Sequence, residues 1–117
     1  AMAEAVGNVH LQHHREGGLN EAQLRAIEEL TSLPLVIHGG AGVPVAQRAA
    51  LARSSAVCKF IIGTELRMAF GTALRSALAA DEDRFDRVQI LRDVEAPLQA
   101  AARRVLRAIG PAQEAAA

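Results

Sequence analysis

The apolar positions change period several times along the chain. Leu24, Ile27 and Leu30 recur at helical spacing behind Asn20, whose side chain is suited to cap a helix. Gln23 stands where the second arm of a capping box would lie, and Leu19 and Leu24 occupy the two staple positions. Thr31-Ser32-Leu33-Pro34 ends this helix. Leu35 to His38 then runs without polar alternation, as expected for a parallel strand covered on both faces. A glycine-dense turn, Gly39-Gly40-Ala41-Gly42, leads to Pro44 and a short helix from about Val45 to Ser54. Val57 to Ile62 reads as a further strand. Thr64 is placed to cap a helix reaching about Ala80, with Leu66, Phe70, Ala73 and Leu74 as its buried stripe. After Asp81-Glu82-Asp83, the pattern predicts a turn, a short helix and a final helix from about Val94 to Ile109, stopped by Gly110-Pro111. Residues 3 to 10 predict a short strand ending at His10. Residues 11 to 18, with two histidines and a Gly-Gly pair, predict an exposed loop, and the alanine-rich tail predicts a frayed end.

The predicted order is β-α-β-α-β-α with a helical extension. Strands alternating with helices imply an α/β fold with a parallel sheet. Three parallel strands leave two bare edges, which predicts an oligomer or a complex rather than a monomer. Half of the 117 residues are hydrophobic and the formal net charge is zero, a balance that excludes a disordered chain and a basic nucleic-acid surface. No apolar run reaches the roughly 18 residues of a membrane span, and no signal-peptide core opens the chain. The single cysteine, Cys58, excludes an internal disulfide framework, fits a reducing cytoplasm and reads as a small buried thiol.

Two groups of residues carry the candidate chemistry. His10 and His38 each close a predicted strand, and a catalytic zinc takes about three protein ligands, often histidines, with one position left open. His13 and His14 are adjacent, point apart in extended chain, and read as a solvated pair. Gly39, Gly40, Gly63 and Thr64 sit at the carboxyl ends of two successive strands, with Thr64 at a helix N-terminus. Backbone N–H groups there favour an anion, although the glycines serve tight turns equally well.

Three stretches, in order, resemble the class II (zinc-dependent) ketose-bisphosphate aldolases. Gly7-Asn8-Val9-His10 is similar to the family's Gly-Asn/Thr-x-His strand end. His38-Gly39-Gly40-Ala41-Gly42-Val43-Pro44 resembles its His-Gly-Gly-Ser-Gly-Val-Pro signature. Cys58 to Arg67 resembles its Cys-Lys-Val-Asn-Val-Ala-Thr-Glu-Leu-Arg. The resemblance covers nearly all of residues 5 to 105. It implies the C-terminal three β/α units of an aldolase-type (β/α)8 barrel plus C-terminal helices, with residues 1–117 as one partial-barrel domain. A whole barrel needs roughly 250 residues. His10 and His38 then match family zinc ligands, whereas the third ligand and the acid/base aspartate belong to an earlier part of the family sequence, so no catalytic residue is expected in this chain. Zinc would polarise the carbonyl oxygen and hold the enediolate charge. Gly39, Gly40, Ala41, Ile61, Ile62, Gly63 and Thr64 match positions around the substrate and its phosphate, and His14 falls near a phosphate-side lysine of many members.

Departures from the pattern cluster at the substrate end. Leu11 stands for a glycine beside the zinc histidine, Ala41 for a serine, Ile61 for an asparagine, and one residue is inserted between Pro44 and Cys58. Three minimal or polar contacts have become apolar. The expectation is a zinc-dependent carbon–carbon lyase with an altered, phosphorylated or hydroxyketone substrate, formed as a split barrel with an N-terminal half-barrel chain, or otherwise a homo-oligomer. The alternative is a non-catalytic aldolase-derived subunit or binding module. Ala1 ahead of Met2 reads as one added residue before a native start.

Overall fold

A computed structural model describes residues 1–4, 6 and 18–110. Its strands are β1 (Met2–Glu4), β2 (Leu35–Ile37) and β3 (Val57–Phe60), and its helices are α1 (Glu21–Leu30), α2 (Val45–Ser54), α3 (Thr64–Ala80) and α4 (Arg87–Ile109). The three strands form one parallel sheet in the order β1-β2-β3, each consecutive pair joined through a helical connection. The predicted α/β alternation is present, with β2 and β3 shorter than their apolar runs, while the strand predicted over residues 3 to 10 lies, beyond Glu4 and Val6, outside the described residues. Parallel pairing stops where the chain must turn to reach the next helix.

The chain gathers into two compact units. The first takes residues 1–64 and the last turn of α4. Its core joins Val6, Leu19, Leu24, Leu35, Ile37, Val43, Leu51 and Val57, with Met2, Ile27 and Phe60 packed against it. Each such aliphatic side chain contributes roughly 1.5–3 kcal/mol when removed from water. Asn20 caps α1 as predicted, its Oδ1 accepting from the Gln23 N–H at 3.1 Å, and the staple residues Leu19 and Leu24 are both buried. The reciprocal arm of the capping box is absent: the Asn20 N–H donates instead to the Val6 carbonyl at 3.0 Å. A tertiary partner has taken the donor that Gln23 would have satisfied.

Two further corrections come from this unit. Leu30, predicted on the apolar face of α1, is 87% exposed. Cys58 is exposed rather than buried. It sits at a register shift between β2 and β3, where one residue of β3 is extra, and its thiol reaches the Leu35 carbonyl at 3.3 Å. β3 is consequently not covered on both faces: Cys58 and Lys59 are exposed, whereas all of β2 is buried. α1 is tied to the start of β3 by Glu28. One carboxylate oxygen accepts the Ala56 N–H at 2.6 Å and the other accepts Arg25 Nη1 at 2.8 Å. The Ala56 N–H above all holds the Glu28 carboxyl below its ordinary range; burial opposes it, and Arg25 adds to the lowering.

The second unit, residues 65–106, is helical. The stripe predicted on α3 is only half-buried at Leu66, Phe70, Ala73 and Leu74, and Ala77 is its buried residue. α4 is one helix rather than two. Asp86 starts it, Oδ1 accepting the Val88 N–H at 2.9 Å, and the helix continues through Pro97 to Ile109. Val94, Ala101 and Val105 are buried, and Gly110 follows the last helical residue as predicted. No described helix is long and apolar enough to cross a membrane.

Candidate functional site

The site is built at the carboxyl ends of β2 and β3. After Ile37 the chain turns at once. His38 is half-buried in that turn, and Gly39 takes the left-handed conformation at φ 62°, ψ 25°, which a side-chain-bearing residue adopts only with strain. Gly40 to Gly42 then form a single 3-10 turn, closed by Gly42 N–H to the Gly39 carbonyl at 2.9 Å and Val43 N–H to the Gly40 carbonyl at 3.3 Å.

Gly40 locks this turn to the neighbouring strand end. Its N–H donates to the Ile61 carbonyl at 3.0 Å, while the Ile61 N–H donates to the Ile37 carbonyl at 2.9 Å. A Cβ on Gly40 would lie 3.3 Å from the Ile61 carbonyl oxygen, 3.3 Å from Ile62 Cγ1 and 3.4 Å from Phe60 Cβ. Gly40 is thus small because β3 passes against it. Its amide, and that of Gly42, are committed inside the protein. Among the described residues nothing accepts the Gly39 or Gly63 N–H, so both amides are open to a ligand. Thr64 is the first residue of α3, where helical N–H groups have no internal partner.

Of the expected contact residues, Gly39, Gly40 and Ala41 therefore share one loop, and Ile61, Ile62, Gly63 and Thr64 the adjacent one. Ala41, Ile62, Gly63 and Thr64 are half-buried, and Ile61 is 36% exposed. Both backbone groups of Ile61 are bonded within the sheet end, so what it presents outward is its hydrocarbon side chain.

The expected metal donors are less complete. His10, together with Leu11, His13 and His14, lies outside the described residues. Among the described residues no three His, Cys, Asp or Glu side chains gather as a metal would require. His38 alone is short of the roughly three protein ligands of a catalytic zinc, so the described residues do not hold the ion by themselves.

Sequence reasoning missed one residue that shapes this region. Gln47 of α2 binds both the N–H and the carbonyl of Leu19, and its Nε2 also reaches Glu21 Oε1 at 2.7 Å. It thereby fixes the point where the chain re-enters α1. No local signal marks it, because its partners are 26 to 28 residues away.

Comparison with known proteins agrees with this geometry. The sequence model of the family described as Fructose-bisphosphate aldolase class-II matches residues 1–114. The fructose-bisphosphate aldolase of Geobacillus stearothermophilus is 38% identical over 90 residues, 77% of this chain and 31% of that protein. The 6-phospho-5-dehydro-2-deoxy-D-gluconate aldolase of Shouchella clausii is 33% identical over 118 residues, 99% of this chain and 39% of its own length. Among solved structures, the YdjI aldolase from Escherichia coli K12 superimposes with a TM-score of 0.67 at 26% identity, over 97% of this chain and 40% of that one. The chain thus spans about a third of the length of the curated relatives it matches. It belongs to the class-II fructose-bisphosphate aldolase family and corresponds to a C-terminal portion of its members.

Proposed function

We propose that this chain supplies the C-terminal part of a zinc-dependent, class II aldolase-like carbon–carbon lyase, completed by an N-terminal half-barrel. The observation that carries the reading is the bond from the Gly40 N–H to the Ile61 carbonyl, which joins two strand-end loops into one rim beside His38. Ligand sites of parallel α/β folds lie at that end of the strands. His10 and His38 are the zinc ligands this chain offers, and the completing part brings the third ligand and the acid/base. Gly39, Gly63 and Thr64 offer amides to a phosphate, while Gly40 holds the turn that presents them. The substrate is a phosphorylated or hydroxyketone compound that tolerates a hydrocarbon rim at Ala41 and Ile61.

The experiment is metal analysis of the complete assembly alongside a carbon–carbon cleavage assay. His10→Ala or His38→Ala should remove most bound zinc and the activity, whereas the double change His13→Ala, His14→Ala should leave both largely intact. Equal zinc loss from the two sets would show the ligands to be wrongly assigned. A second reading, a non-catalytic subunit, is favoured by the side chains of Ala41 and Ile61 alone. Full zinc with no cleavage of any phosphorylated ketose would establish it.

A further inference from the structure

The register of the sheet sorts its residues into rows. Met2, Leu35 and Val57 form one row, Ala3, Val36 and Lys59 the next, and Glu4, Ile37 and Phe60 the third. Partners in a parallel ladder share a face, and successive residues of a strand alternate between faces. Leu35, Ile37 and Val57 lie in the core with Met2 and Phe60 against it, so the first row faces that core, as does the third at Ile37 and Phe60. The middle row faces the other way. Val36 at its centre is 9% exposed, but Ala3 and Lys59 at its two ends are exposed, and Ile61 follows on the β3 side.

Lys59 is the sole lysine of the chain, and among the described residues its ammonium has no hydrogen bond or ion pair. Parallel sheets are ordinarily covered on both faces. Covering this face takes Lys59 out of water, and a buried ammonium is tolerated only when paired with an anion. A second copy of the chain is a poor cover. Its matching row would offer only an alanine, a valine and another lysine, setting like charges against each other. The family members matched here are two to three times longer, and this chain covers 31% to 39% of them.

We infer that this face docks the remaining, N-terminal strands of the barrel, and that one of those strands carries an aspartate or glutamate facing Lys59. The inference rests on the split-barrel reading above and adds to it the chemistry of the partner. It also chooses between the two forms of assembly: the completing surface is acidic at one point and apolar around it.

The test uses this chain and, as probe, the Geobacillus stearothermophilus aldolase truncated where its 90 matched residues begin. Because there is one lysine, amine acylation read by peptide mass spectrometry reports Lys59 directly. In the complex, acylation of Lys59 should slow by at least about tenfold, and zero-length carbodiimide coupling should join it to a carboxylate of the probe. Lys59→Glu should weaken association on the order of 100-fold, with Lys59→Arg retaining most of it. The same labelling on a single-chain fusion of probe and chain covers the case in which the two fail to meet in trans. A folded complex or fusion whose Lys59 reacts as fast as in the free chain overturns the inference but leaves the half-barrel reading standing. Self-association of the chain with Lys59 protected also overturns it, in favour of a second copy. Failure of both mixture and fusion to give a cooperative fold removes the half-barrel reading along with it.

Discussion

Gln47 grips Leu19 at both ends of its peptide: Oε1 accepts the Leu19 N–H at 2.9 Å and Nε2 donates to the Leu19 carbonyl at 3.0 Å. The side chain behaves like a short strand laid beside the chain just before α1. Leu19 is itself buried in the core, so these backbone groups have little water to fall back on.

Replacing Gln47 with leucine keeps the bulk and removes both partners. The part-buried Leu19 N–H and carbonyl are then left unmatched, a loss of about 1–3 kcal/mol. Urea unfolding of Gln47→Leu should show the midpoint falling with an unchanged slope, and Gln47→Glu, which keeps the acceptor but loses the donor and sets a second carboxylate against Glu21, should fall as well. Equal stability of all three would mean that the grip contributes nothing.

The glycines separate into three kinds that a sequence motif treats alike. Gly39→Ala forces a side chain into the left-handed region and should cost about 1 kcal/mol, with Gly39→Asn milder. Gly40→Ala instead meets the Ile61 carbonyl and the Ile62 side chain at 3.3 Å, so it should cost about 1–3 kcal/mol through displaced packing. Gly18 has nothing within 4 Å of an added Cβ. Gly18→Ala should be neutral or stabilise by up to about 1 kcal/mol. Thermal melts of the three variants give the ranking, and a costly Gly18→Ala would contradict it.

Glu28 makes stability depend on pH. Its folded carboxyl titrates below the ordinary value of 4.5, chiefly because the charged form accepts the Ala56 N–H. A depressed carboxyl pKa adds stability that is fully present above the unfolded value and is lost as pH falls through the folded one. The stability gap between the parent and Glu28→Gln should therefore be widest near neutral pH and close on the acid side of 4.5. Denaturation midpoints taken from about pH 7 down to about pH 3 measure it. A gap that is constant over that range would show that the contact does not depend on the charge.

How much of this was legible beforehand follows from the range of each interaction. The Asn20 cap, the Leu19–Leu24 staple and the Val45–Ser54 helix depend on neighbours a few residues away, and they appear where the pattern placed them. Local rules also gave the His38 turn and the two glycine-bearing strand ends. What misled was tertiary. Val6 captured the Asn20 N–H from Gln23, and an extra residue in β3 turned Cys58 out of the core. Asp86 supplied a cap upstream of the predicted start, and α4 runs through Pro97 as a single helix. The proposed metal donors were legible only through a motif, because His10 and His38 are 28 positions apart in sequence and no periodicity connects them.

The rim at Ala41 and Ile61 gives the proposed enzyme its most specific expectation. Ile61 is 36% exposed at the carboxyl end of β3 with its amide and carbonyl already bonded, and Ala41 is half-buried in the facing loop. In the family pattern these positions hold an asparagine and a serine, and Leu11 stands where a glycine lies next to the zinc histidine. Two hydrogen-bonding partners for substrate oxygens are thus replaced by hydrocarbon, and bulk is added at a third point. An enclosed substrate hydroxyl left without a partner is rejected strongly. The complete assembly should cleave fructose 1,6-bisphosphate at least ~100-fold more slowly than an ordinary family member, following from about 3 kcal/mol of lost transition-state contacts. The combined change Leu11→Gly, Ala41→Ser and Ile61→Asn should recover part of that rate without altering zinc content. A coupled assay of triose phosphate release, run on both forms beside metal analysis, measures it. Ordinary turnover by the parent would place these side chains away from the substrate.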